Sequence, residues 1–541
     1  MTLHPARNAN RRTLGGQAMR KGRSVLIAGA VSLAAGCQDF LDVNTNPNAP
    51  QKVAANLYLA PMLHWMVTSP VVDGRFVGRY TQQFTLTLGV TSLSTWDRMG
   101  YDPASDNAAQ QWRDVYWTFG QNLVDMNTIA EAEERWDLLG VGLILKAWGW
   151  QALSDLHGEI IVKEAIDQSK FSFNYDTEEY AYEEVQALLT RAIELLQRSD
   201  GAVDRAFLAR TDKIYNGDRA KWEKLAWGML ALNLNHYSNK ASYAPAEVIA
   251  AVNKSLAGNA DDALLTYPNT QNDDISFLGR TRGNFPSYRQ TEFVVGLMNG
   301  TVFAGAIDPR MSRMLAPSPN GEYRGLDPDV VGFGGLDSLR RPNNFHGYVG
   351  LGGAGQPGRY LFDDKAKVPA MTYAQLQFIK AEAAFRMGDN VTALAAYRNG
   401  ISAHIDFVNA RNSDNNQTPT QITAAEKAAF LANPAIVPAA SALTLTHIMS
   451  QKYIAQWAWA HNELWMDMRR YHYTDIDPAS GRQVYPGFAP PAVLYPDNGG
   501  KVVQRIRPRF NSEYVWNRPA LDAIGGLALD YHTKPLWITQ P

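Results

Sequence analysis

The chain has 541 residues, 45% of them hydrophobic and 19% charged, the balance of a globular protein with length enough for a large domain or several closely packed units. One cysteine excludes a disulfide framework and any zinc or iron–sulfur centre built on cysteine pairs. The formal charge of -2 hides an asymmetry, because the first 36 residues hold six Lys/Arg and no acid, leaving 45 basic against 53 acidic residues, a net -8. A mildly acidic body without a basic stretch argues against a nucleic-acid surface.

The N-terminus comes first in chain order. Arg7, Arg11, Arg12, Arg20, Lys21 and Arg23 precede "SVLIAGAVSLAA", Ser24 to Ala35. That run is too short for a membrane-spanning helix of about 20 apolar residues. With the small residues Ala34, Ala35 and Gly36 behind it, it fits a secretory signal peptide over 1–36. Cys37 follows directly, an arrangement that resembles a bacterial lipobox, in which the thiol is acylated and becomes the new N-terminus. One departure is Ala34, where Leu is commoner, with Leu33 one step earlier. Acyl chains at about 0.8 kcal/mol per buried CH₂ make a durable anchor. "QDFLDVNTNPNAP" is rich in Asn and Pro, which favour turns and extended chain, and predicts a tether over 37–52.

Helical periodicity dominates the rest. "ERWDLLGVGLILKAWGWQALSDLHGEI" predicts a helix buried on most sides and ending near His157-Gly158. In "TEEYAYEEVQALLTRAIELLQ", Thr177 caps an amphipathic helix with acids at its positive end. Trp222, Leu225, Ala226, Met229 and Leu230 form one apolar helix face, with start signals at Asn216 to Asp218. "AQLQFIKAEAAFRMGDNVTALAAYRNGI" has tetratricopeptide spacing at Ala383, Ala384, Gly388, Ala393 and Tyr397, with the turn at Gly388-Asp389. Looser pairs are 131–156 with 178–197 and 219–238 with 245–256. One such pair cannot bury its apolar face alone, so the pairs must stack as an imperfect solenoid. Between them run long segments rich in Gly, Pro, Asn and aromatics, at 81–111, 259–292, 316–362 and 473–520; loops of this length point to binding.

Motifs for covalent chemistry are missing. No nucleophile elbow, Walker A loop, His-Glu-x-x-His or EF-hand spacing occurs. Gly350-x-Gly352-x-x-Gly355 lacks the preceding strand that a dinucleotide site needs. Asp261-Asp262, Asp273-Asp274 and Asp363-Asp364 read as solvated loop acids, with a calcium ion as the alternative. No cofactor is expected. Loop aromatics outside any periodic pattern are Trp96, Tyr101, Phe277, Phe285, Tyr288, Tyr323, Phe345 and Tyr348. Flat rings stack on sugars, and polar neighbours bond hydroxyls. The expected ligand face therefore comprises Trp96, Asp97 and Tyr101 of "STWDRMGY", and Phe277, Arg280, Arg282, Asn284 and Tyr288 of "SFLGRTRGNFPSYRQ". On this reading Trp96→Ala weakens glycan binding and spares the melting temperature.

An ordered set of segments resembles the SusD/RagB family of outer-membrane nutrient-binding lipoproteins. It begins with the Asn/Pro-rich start after Cys37. "GDRAKWEKLAWGML", Asp308-Pro309-Arg310 in "IDPRMSRML", and "AQLQFIKAEAAFRMGD" follow. "SQKYIAQWAWAHNELWMDMRRY" carries Gln451, Lys452, Tyr453, Glu463, Trp465, Asp467, Arg469 and Arg470, and "RIRPRFNSEYVWN" closes the set. The resemblance spans 37–541. It implies a mostly α fold: tetratricopeptide-like helix pairs forming a solenoid scaffold, with long irregular loops on one side. It also implies a surface-exposed outer-membrane lipoprotein, without enzymatic activity, that passes an oligosaccharide, or less readily a peptide, to a SusC-like TonB-dependent transporter. Glu463 and Asp467, four apart on one helix face, read as scaffold held by a guanidinium. The rival classes are a helical glycoside hydrolase with a buried carboxylate pair and a tetratricopeptide protein-binding adaptor.

Overall fold

Capping side chains set the helix starts where the sequence places them. Thr177 accepts from the backbone N–H of Tyr180 and opens α4 (Glu178–Gln197). Asp218 accepts from Ala220 and Lys221 and opens α5 (Arg219–His236). Asp389 accepts from Thr392 and opens α8 (Asn390–Ser413), just after Gly388 turns the chain at φ +83. The other long helices are α1 (Leu59–Tyr80), α2 (Gly120–Ala132), α3 (Trp136–His157), α6 (Pro245–Lys254), α7 (Tyr373–Arg386), α9 (Leu445–Gln456) and α10 (His461–Arg470). This computed structural model describes residues 53–87, 92–102, 106–346, 359–414 and 420–541. Cys37, the 37–52 tether, Tyr348 and the 350–355 glycine pattern lie outside them.

The helices stack as predicted: α3 on α4, α4 on α5, α5 on α6, α6 on α7, and α7 on both α8 and α9. Close approach needs a missing Cβ at Gly400, where one would come within 2.8 Å of the Phe378 ring of α7. Ala55–Pro541 form one compact unit with two large hydrophobic cores. One lies among α1 to α6 and the start of α7. The other lies under α7 to α10 and the long segments.

Those segments are tied to one another. β1 (Phe84–Leu86) pairs antiparallel with β3 (Tyr288–Gln290), and β2 (Ala263–Thr266) with β4 (Lys367–Met371). Arg98 donates to the carbonyls of Val493 and Leu494, and Asn498 to that of Met99. Gln290 bridges the carbonyls of Ala316 and Arg324. Buried carbonyls need such partners, and these long loops find them in each other. The result is a packed second layer.

Candidate ligand-binding site

The packed layer encloses most of the expected ligand face. Trp96 is 5% exposed, with its ring 4.8 Å from Phe76, 5.4 Å from Tyr80 and 5.3 Å from Tyr101. Asp97 takes Arg79 bidentately, at 2.7 and 2.8 Å, inside the same cluster. Tyr101, Phe277, Phe285, Tyr288 and Phe345 are buried too. A ring enclosed in this way offers no stacking face, so these side chains hold loops down. Of the remaining predicted residues, Asn284 donates to the Phe277 carbonyl and Arg282 to that of Asn272. Arg280 is exposed. The paired acids also have protein roles: Asp261 binds Lys224, Asp262 caps α7 through Tyr373 N–H, Asp274 accepts from Thr270, and Asp364 accepts from Thr281. Among the described residues no group of three or more His, Cys, Asp and Glu is placed to hold a metal ion.

The open site lies elsewhere. A groove of about 620 Å³ runs between a helical segment at 110–119, the 161–173 loop and a late segment at 510–516. Trp117 lines it and is 68% exposed, with the Arg113 guanidinium 4.6 Å from the ring centroid. The surrounding polar groups include Gln121, Asn122, Gln168 and Lys170.

Local sequence explains the outward indole. Asp73 of α1 accepts from Gln110 and Gln111 N–H and fixes the start of this segment. Its carboxyl is pushed by burial up to about 6, although those N–H groups hold it down. Asp114, also buried, accepts from Ser69, Gln110 and Thr118 side chains. From Asp114 to Phe119 the chain widens into a π-helical turn, a feature common at functional sites. Val115 and Phe119 stay inside, Val115 packing into the space that Gly149 leaves on α3, and Trp117 is turned out. A second π-helical turn, Phe510–Trp516, forms the opposite wall. Glu513 there accepts from Tyr175 and Asn517.

The family-like residues of α10 sit in the core. Lys452 of α9 lies 3.1 Å from Glu463 and 2.8 Å from Asp467; Arg470 bridges Asp467 to Glu382 of α7. Burial would depress the His236 imidazole, but Glu463 at 2.7 Å and Asp155 at 3.6 Å raise it to about 9. Its charge therefore contributes stability that is complete below the ordinary 6.5 and lost as pH rises through about 9. Glu178 and Asp262, pushed by burial to about 7, also hold their protons more tightly when folded, but that contribution is lost at lower pH, from the ordinary 4.5 and 3.8 up through about 7. Urea midpoints should fall between pH 6.5 and about 9 in the wild type, and fall less in His236→Gln. Equal slopes would refute the assignment.

A stacked helical scaffold, a sealed charged core and an exposed aromatic groove define a protein of the helical-repeat class. Over residues 47–496 the chain matches the SusD-like family described as "Starch-binding associating with outer membrane". It belongs to that family. Similar solved structures include a SusD/RagB family protein from Bacteroides thetaiotaomicron, 20% identical, with TM-score 0.67 and coverage of 90% of this chain and 99% of that one. A SusD homolog from Bacteroides fragilis is 18% identical, with TM-score 0.69 and coverage of 90% and 100%. A chitin-binding SusD homolog from Flavobacterium johnsoniae is 20% identical, with TM-score 0.65 and coverage of 90% and 98%. No curated protein matches the sequence.

Trp117 is the residue that sequence reasoning missed. It lies within apparent helical spacing, where tryptophans are read as packing. The available signal was phase: Trp112, Val115 and Phe119 are buried, and Trp117 falls off that stripe.

Proposed function

We propose that this chain is a lipid-anchored receptor that captures a glycan in the Trp117 groove and delivers it to a SusC-like TonB-dependent transporter. The observation that carries the reading is an exposed indole under a guanidinium, ringed by amides, in a groove of sugar-binding dimensions. Apolar sugar faces stack on such a ring while hydroxyls bond the amides. The chitin-binding relative supports glycan over peptide. Trp117→Ala should weaken binding of a responsive oligosaccharide by about tenfold, equivalent to about 1.4 kcal/mol, with an unchanged melting temperature. Titration calorimetry against a glycan panel checks this, and undiminished binding by the variant would remove the groove.

The anchor and the division of the chain belong to the same reading: signal peptide 1–36, acylated Cys37, tether 37–52, and receptor to 541. Mass spectrometry of the mature protein is expected to find fatty acids on Cys37. Their absence would place the protein off the membrane. Co-purification with a TonB-dependent transporter tests the partner. No helix of the described residues is long and apolar enough to cross a membrane, which fits attachment through lipid.

Hydrolysis is the weaker reading. Glu463 and Asp467 share Lys452, and Glu463 is held down at about 2; burial opposes the shift, but His236 and Lys452 override it. The cavity that Glu463 lines is about 100 Å³, room for a few waters and not for a sugar chain.

A further inference from the structure

Three Trp and Phe side chains are exposed among the described residues: Trp117 at 68%, Phe171 at 93% and Trp516 at 77%. All three belong to the segments that build one groove. Exposed rings of this size are usually scattered, and their concentration at one site calls for an occupant.

We infer that the groove continues onto an aromatic platform of Phe171 and Trp516, so that its ligand is a linear glycan longer than the groove. The inference rests on the glycan reading of the groove and adds the length and form of the ligand.

The platform is held rigidly. Phe171 precedes Ser172, and Trp516 precedes Asn517. The Asn517 side chain, 3% exposed, accepts from Ser172 Oγ and Phe173 N–H, each at 3.0 Å. Its Nδ2 donates to the Phe173 carbonyl at 3.0 Å and to Glu513 at 2.8 Å. One buried amide thus fixes the backbone beside both rings. Glu513 is itself part of the groove lining, so floor and platform are one piece. Backbone fixed before binding costs little further ordering when a ligand lies on the rings it carries.

The groove that holds Trp117 is also lined by polar groups, among them Gln168, Lys170 and Ser512. A protein partner would favour a continuous apolar patch, whereas alternating flat rings and hydrogen-bonding groups match successive sugar units. The Phe510–Trp516 wall lies past the stretch matched by the family model, 47–496, whereas Phe171 lies within it.

The test titrates maltose, maltohexaose, chitobiose and chitohexaose into the wild type, Trp117→Ala, and the double variant Phe171→Ala/Trp516→Ala. Both platform rings are exposed, so the double variant should melt like the wild type. It is expected to bind the responsive hexasaccharide about tenfold more weakly while binding the disaccharide normally. Phe171→Tyr/Trp516→Tyr should restore the hexasaccharide, because a flat ring returns. Undiminished hexasaccharide binding by the alanine double variant, with loss in Trp117→Ala, overturns the platform and leaves the groove standing. A wild type that binds none of the four overturns the groove reading itself.

Discussion

Trp96→Ala should lower the stability of the folded chain by about 3–5 kcal/mol, the range for removing a large aromatic from a packed core. The indole is enclosed by Phe76, Tyr80 and Tyr101, next to the bidentate Arg79–Asp97 pair. Truncation opens a cavity beside two charges whose attraction depends on exclusion of water. The loss should appear in the urea midpoint, with glycan affinity of the still-folded fraction unchanged. This reverses the expectation from sequence, where the same substitution touches binding and spares stability. An unaltered midpoint together with weakened binding would restore Trp96 to the ligand face.

Glu382→Ala should be at least as damaging, again about 3–5 kcal/mol. Glu382 is wholly buried on α7 and accepts from Arg470 at 2.7 and 3.0 Å, from Tyr471 at 2.7 Å and from Asn235 at 2.9 Å. Burial alone would raise its carboxyl, but Arg470, with Arg386 beside it, holds it well below the ordinary range. The network sets His236, Lys452, Arg386 and Arg470 against Asp155, Glu463, Asp467 and Glu382. Four cations then face four anions across α3, α5, α7, α9 and α10. Removing one carboxylate strands a guanidinium in a water-free interior, which costs more than the pair contributed. Glu382→Gln keeps acceptor geometry without charge and should fall between alanine and wild type in chemical denaturation. If both variants unfold with the wild type, the network is dispensable to the fold.

Helices were readable from sequence because their signals are local. Thr177, Asp218 and Gly388-Asp389 act on their own turns, and the apolar stripes beneath them need only a neighbour. The role of Glu463 to Arg470 as scaffold was also legible, since four-residue spacing places the acids on one face. His236, which shares Glu463, was not, because its nearness comes from packing α5 on α10. The burial of the loop aromatics was not legible for a related reason. Composition marks a loop aromatic, but only tertiary structure decides whether other loops fold over it. Trp96 and Tyr288 were covered by distant chain, while Trp117 falls off the buried stripe of its helical segment and Trp516 ends a π-helical turn.

The groove's walls come from opposite ends of the chain: the Asp106 carboxylate meets the backbone N–H of Phe510, 404 positions away. The proposed groove is therefore complete only once the 510–516 segment has docked. On the proposed reading, a ligand in the finished cleft braces segments far apart in sequence, so the saturated protein should resist heat as a whole and not merely around its occupant.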